Sequence, residues 1–236
     1  MKKNSLISLF VIILLLIGFY SCKEYHKDSK SNPFGLDIVQ TKKIYLEQVT
    51  KNPSLEMCDL EEVIDSLWLD IRYATKNNFT KSVIYTKPKA YARKPLADAL
   101  KLVQDSLSKL GLAVKVYDAY RPYAATLLFY EVYPDTNFVA NPRYGSRHNR
   151  GACIDLTFVE KRTGKEIPMP TSYDDFSDKA NPDYAYLPDT VLKNRAFLFS
   201  IMSHFGFTHY PTEWWHFDYK DWKDYPLMDI SFEDLE

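Results

Sequence analysis

The sequence of 236 residues predicts one α+β domain, built on an antiparallel or mixed sheet flanked by helices. Three observations predict it. Two long segments carry apolar residues at helical spacing, several shorter ones are rich in β-branched and aromatic residues, and one of the latter alternates strictly between apolar and polar. Strands and helices also follow no regular strand–helix–strand rhythm, which disfavours a doubly wound parallel sheet. Composition agrees, since 46 % hydrophobic and 26 % charged residues, with 7 Gly and 13 Pro, exclude collagen-like and low-complexity chains. With 30 Lys+Arg against 31 Asp+Glu the formal net charge is −1, which argues against binding nucleic acid through bulk electrostatics. The 15 % aromatic content suits a packed sheet and a walled pocket.

Taken in order, Lys2 and Lys3 precede the apolar run LISLFVIILLLIGFY at residues 6–20, too short to span a bilayer comfortably and suited to a signal-peptide core. It ends at Ser21-Cys22, a small residue before a cysteine, as at the cleavage site of bacterial lipoproteins. Residues 1–21 are therefore expected to be a lipoprotein-type signal, Cys22 the lipidated N-terminus, polar residues 22–32 a tether and residues 33–236 the working domain; Phe19 and Tyr20 are bulky for such a cleavage site, so cleavage without lipid and an uncleaved anchor are the alternatives. Export to the periplasm or cell envelope, with a lipid anchor in the membrane, follows as an expectation. Residues 66–73 read as a strand. A helix opens at Pro95, presents Leu96, Leu100, Val103, Leu107 and Leu110 on one face, and closes at Gly111. Residues 113–117 form a second strand candidate and residues 152–159 a third, with Ala152, Ile154, Leu156 and Phe158 on one face and Cys153, Asp155 and Thr157 on the other. Residues 190–205 form a helix with Leu198, Ile201, Met202 and Phe205 on its apolar face, and residues 214–219 a last strand. Cys58 and Cys153 could pair in an exported protein or remain buried thiols.

Chemistry gathers in two places. In Ser146-Arg-His148-Asn-Arg-Gly151-Ala-Cys-Ile-Asp155 an imidazole precedes a turn glycine and a carboxylate on a strand, and in Glu213-Trp-Trp-His216 a second His follows a Glu by three positions. Two His and one carboxylate leave one tetrahedral position open for water, the coordination of catalytic rather than structural zinc, and Glu213 is then placed to take the proton of that water. Each piece alone is commonplace, and a His between Trp215 and Phe217 is more often packed core than ligand. Neither an HExxH helix nor a G-x-S-x-G elbow is present to offer another hydrolase chemistry. His204 and His209 are five apart and do not share a helical face, so they are not read as a metal pair.

SRHNRGACIDLTF together with EWWHFDY resembles the D-alanyl-D-alanine dipeptidases of VanX type, within the zinc D-Ala-D-Ala metallopeptidases. Three more segments are similar to theirs: Asp70-Ile-Arg-Tyr-Ala-Thr-Lys-Asn-Asn-Phe79, Asp118-Ala-Tyr-Arg121-Pro122, and Met169-Pro-Thr-Ser-Tyr-Asp-Asp-Phe176. The resemblance implies one zinc ion per chain held by His148, Asp155 and His216, Glu213 as acid/base, and Arg121 as the group that stabilises the oxyanion. It places Asp174, in an ambiguous register with Asp175, where the substrate ammonium is received, and Ser146 in the substrate-binding segment. Without a functional role, Arg121 would be a salt-bridge residue, with Asp118 and Glu131 as nearby partners. Two positions depart from the pattern: Cys153 stands where Ala is usual, and Pro170 where Gly is common.

The expected activity is hydrolysis of D-alanyl-D-alanine or a related D,D-dipeptide in peptidoglycan metabolism. A D,D-carboxypeptidase or endopeptidase acting on muropeptide stems is the alternative with the same chemistry. A non-catalytic wall-binding lipoprotein is the alternative without it.

Overall fold

The computed structural model describes residues 32–236, so the signal segment, most of the tether and Cys22 lie outside the described residues. The organising element is a five-stranded mixed sheet in the order β3-β5-β6-β8-β7. Its strands are Trp68–Leu69 (β3), Leu112–Asp118 (β5), Cys153–Glu160 (β6), Phe207–His209 (β7) and His216–Tyr219 (β8). Only β3 and β5 run parallel; the other neighbours are antiparallel. Two small pairs flank the sheet: Ile38–Val39 (β1) with Leu227–Met228 (β9), and Met57–Asp59 (β2) with Tyr91–Arg93 (β4). The helices are Lys42–Lys51 (α1), Leu60–Val63 (α2), Lys94–Ser108 (α3), Tyr123–Val132 (α4), Asp189–His204 (α5) and Phe232–Leu235 (α6).

Helix α3 forms as its spacing predicts, with Pro95 in its first turn and Leu96, Leu100, Val103 and Leu107 fully buried. Leu110 leaves the stripe and is 61 % exposed, because the chain has already turned out of the helix toward Gly111 at φ +74°. Gln104 on the same helix is buried, and its Oε1 accepts from Val114 N at 2.8 Å, which ties α3 to β5. Helix α5 buries Leu198 and Met202, whereas Ile201 and Phe205 are half-buried.

The expected strand at 66–73 contracts to Trp68–Leu69. Asp70 N still donates to Val116 O, but Arg72–Ala74 then coils into a short 3₁₀ turn that carries Tyr73 into the core. The expected strand at 214–219 begins only at His216, since Trp214 N is taken by Ala180 O at 3.0 Å outside the sheet. In β6 both faces are buried: Cys153, Asp155 and Thr157 are as inaccessible as Ile154 and Leu156. The polar face of β6 is covered because the functional site lies on it. Cys58 and Cys153 are both free. No helix among the described residues is long and apolar enough to cross a membrane.

Candidate metal centre and active site

The sheet places the site through register. Asp155 pairs directly with His216 across β6 and β8, and Asp118 at the end of β5 pairs with Asp155 across a bulge. His148 arrives from the 3₁₀ turn His148–Arg150, which ends at Gly151 with φ +64°. A side chain there would be penalised by the left-handed backbone, and its Cβ, 2.7 Å from Met57 Cε, would push the tip of that methionine aside. That turn brings the imidazole back over the start of β6.

Three donor atoms converge. His216 Nδ1 lies 3.0 Å and His148 Nε2 3.4 Å from Asp155 Oδ1, and the two ring nitrogens are 3.2 Å apart. Their other atoms are already engaged. His148 Nδ1 donates to Ala119 O at 2.7 Å, and His216 Nε2 meets Asp218 Oδ1 at 3.1 Å. Asp218 is itself bonded by Arg147, and Asp155 Oδ2 accepts from Tyr173 Oη at 3.0 Å. These outer contacts set the tautomers, so both inward nitrogens present lone pairs, and Asp155 Oδ1 is buried with no hydrogen-bond donor. Two lone pairs and a carboxylate oxygen held face to face repel unless a cation sits among them. Their separations match those of neighbouring ligands on a tetrahedral zinc, about 3.3 Å for bonds of about 2.0–2.1 Å. The donor set therefore fits the metal that the sequence implies. With protons on the inward nitrogens in place of a cation, the two imidazoles would outweigh the burial that opposes charge on Asp155 and hold the carboxyl well below the usual range.

Glu213 lies beside this set, its Oε2 3.7 Å from His216 Nδ1, and is buried. Burial pushes its carboxyl up to about 7, with the Asp155 charge adding to the rise and His216 opposing it. Arg121 is buried and fixed by one oxygen: Asp118 Oδ2 accepts from Nε at 3.0 Å and from Nη2 at 2.7 Å. Its guanidinium carbon stands 4.6 Å from the Phe129 ring centre and 5.4 Å from that of Tyr73. Asp174 adopts φ +60°, which Asp tolerates better than most residues, and turns its side chain inward. Its Oδ1 accepts from Tyr73 Oη at 3.1 Å, while its Oδ2 is buried without a partner. Burial, then the Asp155 charge, raises its carboxyl to about 8. Ser146 is more structural than exposed: its Oγ accepts from His148 N at 3.2 Å.

Arg121, Ser146, His148, Asp155, Asp174, Glu213 and His216, with Tyr73 and Phe129, line one cavity of about 500 Å³. Its far wall is aromatic, with Phe138 stacked on Phe176 at 4.8 Å and Phe79 at 5.4 Å from Phe176. Sequence reasoning gave no role to Tyr73, Tyr173 or Asp218. All three stood in segments that carried the resemblance, and Asp218 also sits two residues after His216, the alternate position on the same strand face.

A family model described as D-ala-D-ala dipeptidase matches residues 53–233, which include every one of these residues. The chain belongs to that family. A D-alanyl-D-alanine dipeptidase of Escherichia coli strain K12 is 30 % identical over 177 residues, covering 75 % of this chain and 91 % of that relative. One of Enterococcus faecium is 28 % identical over 193 residues, covering 73 % and 95 %. One of Streptomyces coelicolor is 30 % identical over 185 residues, covering 69 % and 90 %. Family membership makes this chain a peptidase connected with peptidoglycan.

Proposed function

We propose that this protein is a zinc-dependent dipeptidase that hydrolyses D-alanyl-D-alanine or a closely related D,D-dipeptide. The observation that carries the reading is the unpartnered, buried Asp174 Oδ2 in the same cavity as Arg121, Glu213 and the three converging donors. A free ammonium at one end of a short substrate satisfies that oxygen and draws Asp174 into its charged form. A longer peptide with a blocked amine leaves it unsatisfied, which costs free energy.

His148, Asp155 and His216 would hold the ion, and zinc bound there supplies a Lewis acid that polarises the scissile carbonyl and lowers the pKa of water. Glu213, raised toward neutrality, accepts the proton of the attacking water on its carboxylate and passes it to the leaving amine. Arg121 carries a permanent positive charge, and Asp118 fixes its orientation without engaging Nη1. It meets the negative charge that develops on the carbonyl oxygen. Tyr173 orients Asp155, Asp218 orients His216, and the aromatic wall excludes water.

The test is an assay of the zinc-replete protein on D-Ala-D-Ala, L-Ala-L-Ala and a pentapeptide stem. Turnover of the first alone supports the reading. Cleavage of the stem in preference to the dipeptide makes the protein a D,D-carboxypeptidase, and turnover of none makes it a binding protein. From residues 1–32 we also infer export to the cell envelope and lipid attachment at Cys22, which would place the enzyme where wall fragments are released.

A further inference from the structure

Each of the three converging donors leads outward to a charged side chain. His148 Nδ1 lies 3.7 Å from Asp118 Oδ2, which holds Arg121. Asp155 accepts from Tyr173, whose Oη lies 3.2 Å from that of Tyr73, and Tyr73 donates to Asp174. His216 meets Asp218, which pairs with Arg147. Arg121 and Asp174 serve the carbonyl oxygen and the ammonium of a dipeptide, but Arg147 has no such part. Arg147 and Arg150 both line the cavity, and Arg150 turns its Nη1 to the backbone carbonyls of Lys223 and Tyr225. Arg147 is held differently. Its Cζ stands 4.6 Å from the ring centre of Tyr210 and 4.6 Å from that of Trp222, and both rings line the same cavity. Such stacking engages the faces of a guanidinium and leaves its N–H edges for hydrogen bonds. On those edges Nη1 donates to Asp218, whereas Nε and Nη2, the pair that matches a carboxylate, donate to no group among the described residues. With the side chain 29 % exposed, an oriented and unclaimed fork stands at the cavity.

A free dipeptide carries an ammonium at one end and a carboxylate at the other. That carboxylate enters a cavity already lined by Asp155, Asp174 and Glu213, where a cation must offset the like charge. We propose that Arg147 receives the α-carboxylate of the substrate's C-terminal residue through its Nε–Nη2 edge, so that the site recognises both ends of a free dipeptide. The inference rests on the dipeptidase reading and supplies its second anchor. Tyr210 and Trp222 hold the plane of the guanidinium and Asp218 fixes its rotation, so little side-chain freedom is left to lose when the substrate binds. The same fork disfavours a chain that continues past this residue, because an amide in place of the carboxylate forfeits the charge-assisted pair.

The experiment compares kcat/KM for D-alanyl-D-alanine and for its C-terminal amide in the full-length, zinc-replete parent, in Arg147→Met and in Arg147→Lys. The ratio of the two values cancels any loss of folded or metal-loaded protein, and a distortion that Asp218 passes to His216 slows both substrates alike. The parent should prefer the free acid. In Arg147→Met the ratio should fall by about 10- to 100-fold, as expected when a charge-assisted hydrogen bond is lost, with the change on the free acid carried mainly by KM. Arg147→Lys keeps the charge without the fork and should fall between the two. An unchanged ratio in Arg147→Met overturns the proposal, leaving a residue that only braces Asp218 and a dipeptidase reading that still stands. A parent that cleaves acid and amide equally well overturns it in the same way. A parent that cleaves neither overturns the dipeptidase reading along with the proposal.

Discussion

Asp118 holds Arg121 through a single carboxylate oxygen, while its other oxygen accepts from Tyr85 Oη at 2.9 Å and Ala119 N at 3.0 Å. The salt bridge and the proposed oxyanion group are therefore one arrangement: the pair aims a buried cation at the cavity. Asp118→Ala removes the only carboxylate hydrogen-bonded to Arg121 among the described residues and should destabilise the protein by about 3–5 kcal/mol. Thermal unfolding reads that loss. Arg121→Ala should lower kcat by about 10²–10³-fold, and Arg121→Lys should fail to restore it, since an ammonium does not reproduce the guanidinium fork.

Glu213→Ala should retain zinc and a folded domain while kcat falls by about 10²–10⁴-fold. In the parent, kcat/KM should fall on the acid side, with a limb set above the ordinary glutamate range, because burial raises Glu213 and only its ionised form acts as base. Near-parental turnover in zinc-loaded Glu213→Ala would assign the base to another group.

His148→Ala and His216→Ala should each lose the metal, as measured by elemental analysis after dialysis, whereas Cys58→Ser should keep it. Cys58 lies on β2, away from the converging donors. Full occupancy in both His variants rejects the ligand set.

Asp174→Asn should be more stable than the parent at neutral pH and inactive on free dipeptides. The native carboxyl titrates at about 8, against about 3.9 in an unfolded chain. Between those values the folded protein holds a proton that the unfolded chain has lost, so this group lowers stability as pH rises from about 4 to about 8. Asn accepts the Tyr73 bond, tolerates φ +60° and does not titrate. The gain in Tm of chelator-treated Asp174→Asn should therefore be small at pH 4 and largest near pH 8. A gain independent of pH refutes the role assigned to the buried charge.

Intact mass and membrane fractionation of the parent against Cys22→Ala test lipid attachment. The expected outcome is a mass increase of acyl size and membrane association in the parent only. An unmodified Cys22 in a soluble product rejects the anchor.

Much of this site was legible because its signals are local. His148, Gly151 and Asp155 sit in one turn-and-strand unit, and Glu213 and His216 in another, so spacing and residue type carried them. The alternation of β6 correctly put Cys153 and Asp155 on one face, but their complete burial was not legible, since it depends on what covers that face. Tyr173 reaches Asp155 across 18 residues, Tyr73 reaches Asp174 across 101, and Arg147 reaches Asp218 across 71. Such pairings are set by tertiary packing and leave no periodic trace. The segment at 66–73 misled for a related reason: its apolar residues suit a strand, but Tyr73 belongs to the site and the chain coils to deliver it.

Two of the metal-binding candidates and the cavity wall come from different kinds of structure. Asp155 and His216 are fixed by sheet register, whereas Thr136, Phe138, Asn141 and Phe176 of the wall lie on connecting segments between helix and strand. Laboratory selection for a new dipeptide should thus collect its mutations at those four positions. A shift of one residue in β6 would turn Asp155 away from the site, while replacing a loop phenylalanine alters only the shape offered to the substrate side chains. Populations of such variants would explore specificity while keeping the same chemistry.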